Sequence, residues 1–118
     1  MSITDIDKQD LYIYHMYMRV KGKSVKFEWD KWNTDKNYLK HGITPKEAEE
    51  AFITENSYFF SDVKHSKIEE RFILLGKTLE KKDLFVVFTM RGKKVRIISA
   101  RSMHESEVKK YEKAKKNT

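Results

Sequence analysis

With 118 residues, 39% of them hydrophobic and 13% aromatic, the chain has room for one domain with one modest core, and a wholly disordered chain is excluded. Its 25 Lys and Arg against 18 Asp and Glu leave a formal charge of +7, which attracts phosphates, anionic membranes or acidic proteins without choosing among them. The absence of cysteine excludes a disulfide framework and thiolate zinc sites.

Residues 1–24 form an N-terminal extension ahead of a single domain expected over residues 25–118. Residues 1–20 carry acids and polar groups throughout, so no signal peptide is expected. Residues 11–20 are rich in aromatics and methionine and suit either a strand or a short amphipathic helix. Lys21-Gly22-Lys23-Ser24 has turn chemistry, and residues 25–29 alternate as a strand does, so a hairpin between the two pieces is possible.

Asp30 can cap a helix over residues 31–40, with Trp32 and Leu39 on one face and Gly42 ending it. Thr44-Pro45-Lys46-Glu47 then predicts a second helix. Thr44 is its cap, Pro45 takes the first helical position, Glu47 closes a capping box, and Ile43 with Ala48 forms the staple. This helix buries Ala48, Ala51 and Phe52 and ends near Thr54. A polar loop follows over residues 61–66.

Three strands are expected next, over residues 71–78, 83–89 and 94–100, with turns at residues 80–83 and 91–93. Short connections make them antiparallel neighbours. Residues 84–88 are apolar at every position, so that strand should be central and covered on both faces, with Phe85 and Phe88 in the core. Ser102 and Glu105 can cap a last helix that carries Val108 and Tyr111 on its packed face, with the Tyr111 hydroxyl at a rim. The lysine-rich residues 109–118 are expected to fray into solvent. The class is α+β, in the order β-α-α-β-β-β-α, with helices on an antiparallel sheet. No apolar run is long enough to span a bilayer, and a soluble cytoplasmic protein is the default.

Residues 91–101 hold five basic residues (Arg91, Lys93, Lys94, Arg96 and Arg101) and no acid. A solvated strand edge would account for the lysines, but a guanidinium grips phosphate with a planar fork of donors, which favours phosphate binding. Strand parity separates Arg96 from Arg101. Both reach one phosphate only if Arg101 lies past the strand end or a bulge intervenes, and capping at Ser102 favours a position past the strand end.

Residues 62–71 supply the other chemistry. His65 can exchange a proton near neutral pH, Glu70 can accept one or orient an arginine, and Arg71 can stabilise a pentavalent phosphate. Asp62, His65, Glu69 and Glu70 could hold a divalent ion, but no fixed ligand spacing supports it, so no metal and no cofactor are expected. Lys40 and His41 close the first helix, where its dipole favours a cationic imidazole; a capping role for His41 is preferred to a catalytic one.

RNA carries its own nucleophile, the 2′-hydroxyl. A metal-free enzyme must remove that proton, stabilise charge on the phosphate and protonate the leaving 5′-oxygen, and this chain has the residue types in two places.

At these residues the chain resembles the BrnT toxin family. The matching motifs are Phe27-Glu28-Trp29-Asp30, Asn37, Lys40-His41-Gly42-Ile43, Glu47-Ala48, His65-Ser66, Glu69-Glu70-Arg71, Gly76, Val86-Val87-Phe88-Thr89 with Arg91, the block Arg96-Ile97-Ile98-Ser99-Ala100-Arg101, and Glu107 with Tyr111. Asn33 and Met103-His104 depart from the family pattern, and the segment before Phe27 lies outside it. The resemblance implies a RelE-like fold and a growth-arresting, metal-independent endoribonuclease of a type II toxin–antitoxin system. It implies an RNA substrate and neutralisation by a BrnA-like ribbon-helix-helix antitoxin, through which operator DNA is bound. It makes Glu70, Arg71, Arg96, Arg101 and His65 the catalytic candidates, with Arg91, Lys93, Lys94, Lys40 and His41 as RNA contacts. The competing readings are a nucleic-acid-binding module without catalysis and an inactive relative that works by binding antitoxin.

Overall fold

The computed structural model describes residues 26–29, 38, 40–54, 56–62, 69–92 and 94–117. In chain order the elements are β1 (Lys26–Glu28), α1 (Pro45–Ile53), β2 (Tyr58–Ser61), β3 (Phe72–Lys77), β4 (Asp83–Arg91), β5 (Lys94–Ser102) and α2 (Glu105–Lys116). The expected hairpin before β1 and most of the helix over residues 31–40 lie outside the described residues. Of that helix, Tyr38, Lys40 and His41 are helical. Gly42 ends it as expected, at φ 68° with its N–H donating to Tyr38 O at 2.9 Å.

The start of α1 follows its sequence signal. The Glu47 N–H donates to Thr44 Oγ1 at 3.2 Å, and Thr44 N–H donates back to Glu47 Oε1 at 3.1 Å. Thr54 ends the helix. Its buried stripe of Ala48, Ala51 and Phe52 lies on the sheet face made by Phe72, Leu74, Leu84, Val86, Phe88, Val95, Ile97 and Ala100. Phe52 meets Phe27 and Phe88 edge-on at centroid distances of 5.4 and 4.9 Å, a geometry that aromatic quadrupoles favour. Gly76 lets the helix come close: a Cβ there would stand 2.7 Å from the Ala51 carbonyl oxygen.

The five strands run in the order β1-β5-β4-β3-β2. Three expectations are corrected. The sheet is mixed, because β1 joins β5 in parallel, pairing Phe27 with Val95 and Glu28 with Arg96. An additional strand, β2, precedes β3 and includes Ser61, which was expected in a loop. Both β4 and β5 run two residues further than expected, since their ladder continues to Arg91–Lys94 at one end and Leu84–Ser102 at the other. Ser102 is therefore a strand residue, and His104 is the N-cap of α2, with Glu107 as the partner three residues on.

β4 is central, as expected, but only one of its faces is sealed. Leu84, Val86 and Phe88 are buried, whereas Phe85 and Val87 on the other face are half-buried. α2 continues to Lys116, so residues 109–116 are helical and not frayed as expected, and it covers part of that second face. Tyr111 is fully buried there, its ring edge-on to Tyr58 at 5.7 Å, and its hydroxyl donates to Asn56 O at 2.7 Å. Burial, with Asp83, Tyr58 and Glu112 nearby, pushes the phenol up to about 12. The rest of the second face carries the basic residues.

Candidate functional site

A bulge decides which basic residues share a face. Along the β4–β5 ladder Val87 pairs with Ser99 and Phe88 with Ile97, so Ile98 is an extra residue in β5. Before it, Val95 and Ile97 point into the core; after it, Ala100 does. Arg96 and Arg101 thus both emerge on the second face. Arg101 lies within the strand, on Arg96's face, which corrects the expected position beyond the strand end.

Register then orders this face into rows. Glu28, Arg96 and Thr89 are successive partners across β1, β5 and β4. Arg71 precedes β3 by one residue, and continuing the Phe72–Phe88 register sets it opposite Thr89. The Asp62 N–H donates to Arg71 O at 2.9 Å, so the β2–β3 pairing runs on past the strand and holds Arg71 in phase. Arg71 and Arg96 therefore flank Thr89, their Cα atoms two strand spacings or about 10 Å apart. Thr89 is buried beneath them, and its hydroxyl donates to Glu70 O at 2.7 Å. That bond fixes the backbone of Glu70 beside the row, with the Glu70 side chain exposed. Glu69 lies 4.0 Å from Arg71 Nε, and Arg91 Nη1 lies 3.5 Å from Glu28 Oε1. Sequence parity gave no reason to single out Thr89, because its value comes only from register.

Arg101 sits in a different row. It pairs with Phe85, four β4 residues from Thr89, or about 13 Å along the strand. Its guanidinium carbon lies 3.9 Å from the Phe85 ring centroid, so Phe85 is a platform for an arginine and not a core residue as expected. Nη1 and Nη2 donate to Glu107 Oε1 and Oε2 at 2.7 and 2.8 Å, and Nη1 also donates to Ser102 O at 3.0 Å. Glu107 Oε1 in turn accepts the His104 N–H at 2.7 Å. Burial raises the Glu107 carboxyl, but the Arg101 fork and the His104 N–H outweigh it and leave the pKa below its ordinary value. Glu107 stood in the sequence motif without a role; the fork supplies one.

His41 is half-buried, and its pKa is lowered by burial, by Lys40 and by Arg101. That direction is opposite to the one expected from the helix dipole, and the imidazole sits in the field of Arg101. Lys40 and Lys94 are exposed. His65 and Lys93 lie outside the described residues. Among the described residues no three His, Asp or Glu side chains come together as metal ligands, and no helix is long and apolar enough to cross a membrane.

The structure thus places Arg71, Thr89 and Arg96 in one row, with the Glu70 backbone beside it, and sets Arg101 with Glu107 two rows along the same face. The fold is similar to the crystal structure of the Brucella abortus ribonuclease toxin BrnT, with a TM-score of 0.53 and 22% identity over 70% of this chain and 100% of that one. No curated protein matches the sequence. The family model described as the ribonuclease toxin BrnT of type II toxin–antitoxin systems matches residues 29–107, and the chain belongs to that family.

Proposed function

We propose that this family member is a metal-independent endoribonuclease whose phosphate site is the Arg71–Thr89–Arg96 row. The observation that carries the reading is the register that sets Arg96 of β5 and Arg71, one residue before β3, on either side of a buried threonine. Two planar forks about 10 Å apart at their Cα atoms can close on one phosphate and stabilise the charge of a pentavalent intermediate. The 2′-hydroxyl attacks the adjacent phosphorus, the P–O5′ bond breaks, and a 2′,3′-cyclic phosphate forms. Glu70 is the proposed base that takes the 2′-proton, because its backbone is fixed beside the row by Thr89. The 5′-oxygen collects a proton from His65 or water. Arg91, Lys93, Lys94 and Lys40 supply further attraction for the RNA backbone. Arg101 has a supporting role: it ties α2 to the sheet and sets the local field felt by His41.

In this reading a BrnA-like ribbon-helix-helix antitoxin neutralises the protein in the cytoplasm and carries the complex to operator DNA. The test is cleavage of single-stranded RNA by the purified protein in excess EDTA. Retained cleavage that is abolished by Arg96→Ala supports the reading, whereas an absolute requirement for a divalent ion overturns it. RNA binding without cleavage would support the non-catalytic alternative.

A further inference from the structure

Two large apolar side chains stand exposed next to one another on the side of the molecule away from the arginine row. Ile53, the last residue of α1, is 61% exposed, and Leu79, in the turn between β3 and β4, is 67% exposed. They line one cleft of about 380 Å³ together with Thr54, Lys77, Lys81 and Tyr111. A turn ordinarily carries polar residues, and an exposed leucine at its tip contributes nothing to the core.

The tip is nevertheless held rigidly. The Leu79 N–H donates to Glu50 Oε1 at 3.1 Å, and Lys82 Nζ reaches Glu47 Oε2 at 2.6 Å, so two carboxylates of α1 clamp the turn. Within the turn Thr78 Oγ1 accepts the Lys82 N–H at 3.0 Å. The apolar pair is therefore presented in a fixed geometry, which removes the ordering cost that a flexible loop would impose on binding.

We propose that Ile53 and Leu79 form the anchor of the antitoxin-docking surface. The occupant is a segment of the antitoxin with apolar side chains that enter the cleft and acidic residues that face Lys77 and Lys81. Charge argues for this partner. Lys81 stands exposed on the cleft rim beside Lys77, whose ammonium is shared with Asp83 at 3.2 Å, the chain carries a net +7, and an acidic protein gains from both. The apolar pair argues against RNA as the occupant, since a phosphate backbone gains nothing from Ile53 or Leu79. Two apolar anchors in a rigid cleft are the arrangement around which interface energy concentrates. The inference rests on the family's antitoxin partner but not on the proposed catalytic row, which lies at the other end of β4.

The experiment uses the full chain and its cognate antitoxin, measuring their dissociation constant, RNA cleavage by the toxin alone, and the sedimentation of each. The double substitution Ile53→Glu, Leu79→Glu is expected to weaken the complex at least a hundredfold while thermal stability stays unchanged and cleavage stays within twofold. Lys81→Glu should weaken it several-fold, and Glu50→Ala, which removes the acceptor of the Leu79 N–H and loosens the turn, by a smaller factor. An affinity changed less than twofold by the double substitution overturns the proposal. So does a parallel loss of RNA cleavage, which would assign the surface to substrate. A wild-type dimer that the double substitution converts to monomer would assign it to a second copy of this chain and overturn the proposal as well.

Discussion

Removing either half of the Arg101–Glu107 fork should destabilise the fold through one shared interaction. The pair is mostly shielded, with 24% and 18% of the two side chains exposed, and it spans from β5 to α2. Arg101→Ala deletes two charge-assisted bonds and the stacking on Phe85, and leaves Glu107 half-buried without its cation. Bonds to charged groups contribute about 1.5–3 kcal/mol each at most, and they share one geometry, so about 2–3 kcal/mol is expected in total. Glu107→Ala should cost about 1 kcal/mol more, because it also removes the acceptor of the His104 N–H. The double variant should then be less damaged than the sum, with a coupling of about 1.5–2.5 kcal/mol from urea unfolding of the four proteins. Because Glu107 is depressed below its ordinary 4.5, its contribution is complete above that pH and is lost as pH falls through the folded value. Stability of the wild type should therefore fall more steeply with acid than that of Arg101→Ala. A coupling under about 0.5 kcal/mol, or parallel acid limbs, would refute the fork as a structural tie.

Arg96→Ala should lower RNA cleavage by about 10²–10³ under conditions where the variant stays folded, and cleavage within twofold of the wild type would contradict its placement at the phosphate site. Gly76→Ala should cost about 1–3 kcal/mol in denaturant unfolding, because the new Cβ meets the Ala51 carbonyl at 2.7 Å and α1 must lift from the sheet; no change would mean that the helix is not seated there. Thr44→Ala should cost about 1 kcal/mol by losing the capping box, also read by denaturant. In an NMR titration the His41 midpoint should lie below 6.5, and Arg101→Ala should move it upward by removing one of the cations that disfavour its protonation; a downward shift would contradict that placement.

The sequence was most informative where a signal is local. Thr44, Pro45 and Glu47 sit within four residues, and the capping box appears as read. Gly42 and the packed face of α1 are similarly local. The pairing of β1 with β5 is not, since Lys26 and Lys94 meet across most of the chain and nothing in either strand encodes a parallel partner. β2 escaped notice because Tyr58, Phe59 and Phe60 are all aromatic, so no polar alternation marks the strand, although Phe59 alone is turned fully into the core. The cap of α2 was misplaced by two residues because Ser102 is the better capping residue by type, while the ladder to Leu84 keeps it in β5 and leaves His104 at the helix start. Of the candidate site, the basic stretch was legible as charge, and the resemblance picked out Glu70 and Arg71. Which of these residues stand together depended on register.

The single residue that settles the register is Ile98. In an unbroken strand, Arg96 and Arg101 have opposite parity, and one of them would have to enter the core side, where Val95, Ile97 and Ala100 are buried. Burying a guanidinium there without a partner would be prohibitive, so the pattern of apolar residues itself demands an extra residue between Ile97 and Ala100. The bulge meets that demand, and it sets both arginines on the face that α1 leaves open. It also explains why the two cannot be interchangeable. Arg96 lies before the bulge, level with Thr89 and Arg71, whereas Arg101 lies after it, level with Phe85 and the first turn of α2, where Glu107 takes its fork. Deleting Ile98 would restore regular pairing and leave the facing of residues 99–102 as it is, since Ile97 and Ala100 would still point into the core and Arg96 and Arg101 away from it. The expected result is a chain that still folds cooperatively in denaturant with both arginines on the open face. A deletion that abolishes folding would contradict the assignment of Ile98 as the extra residue.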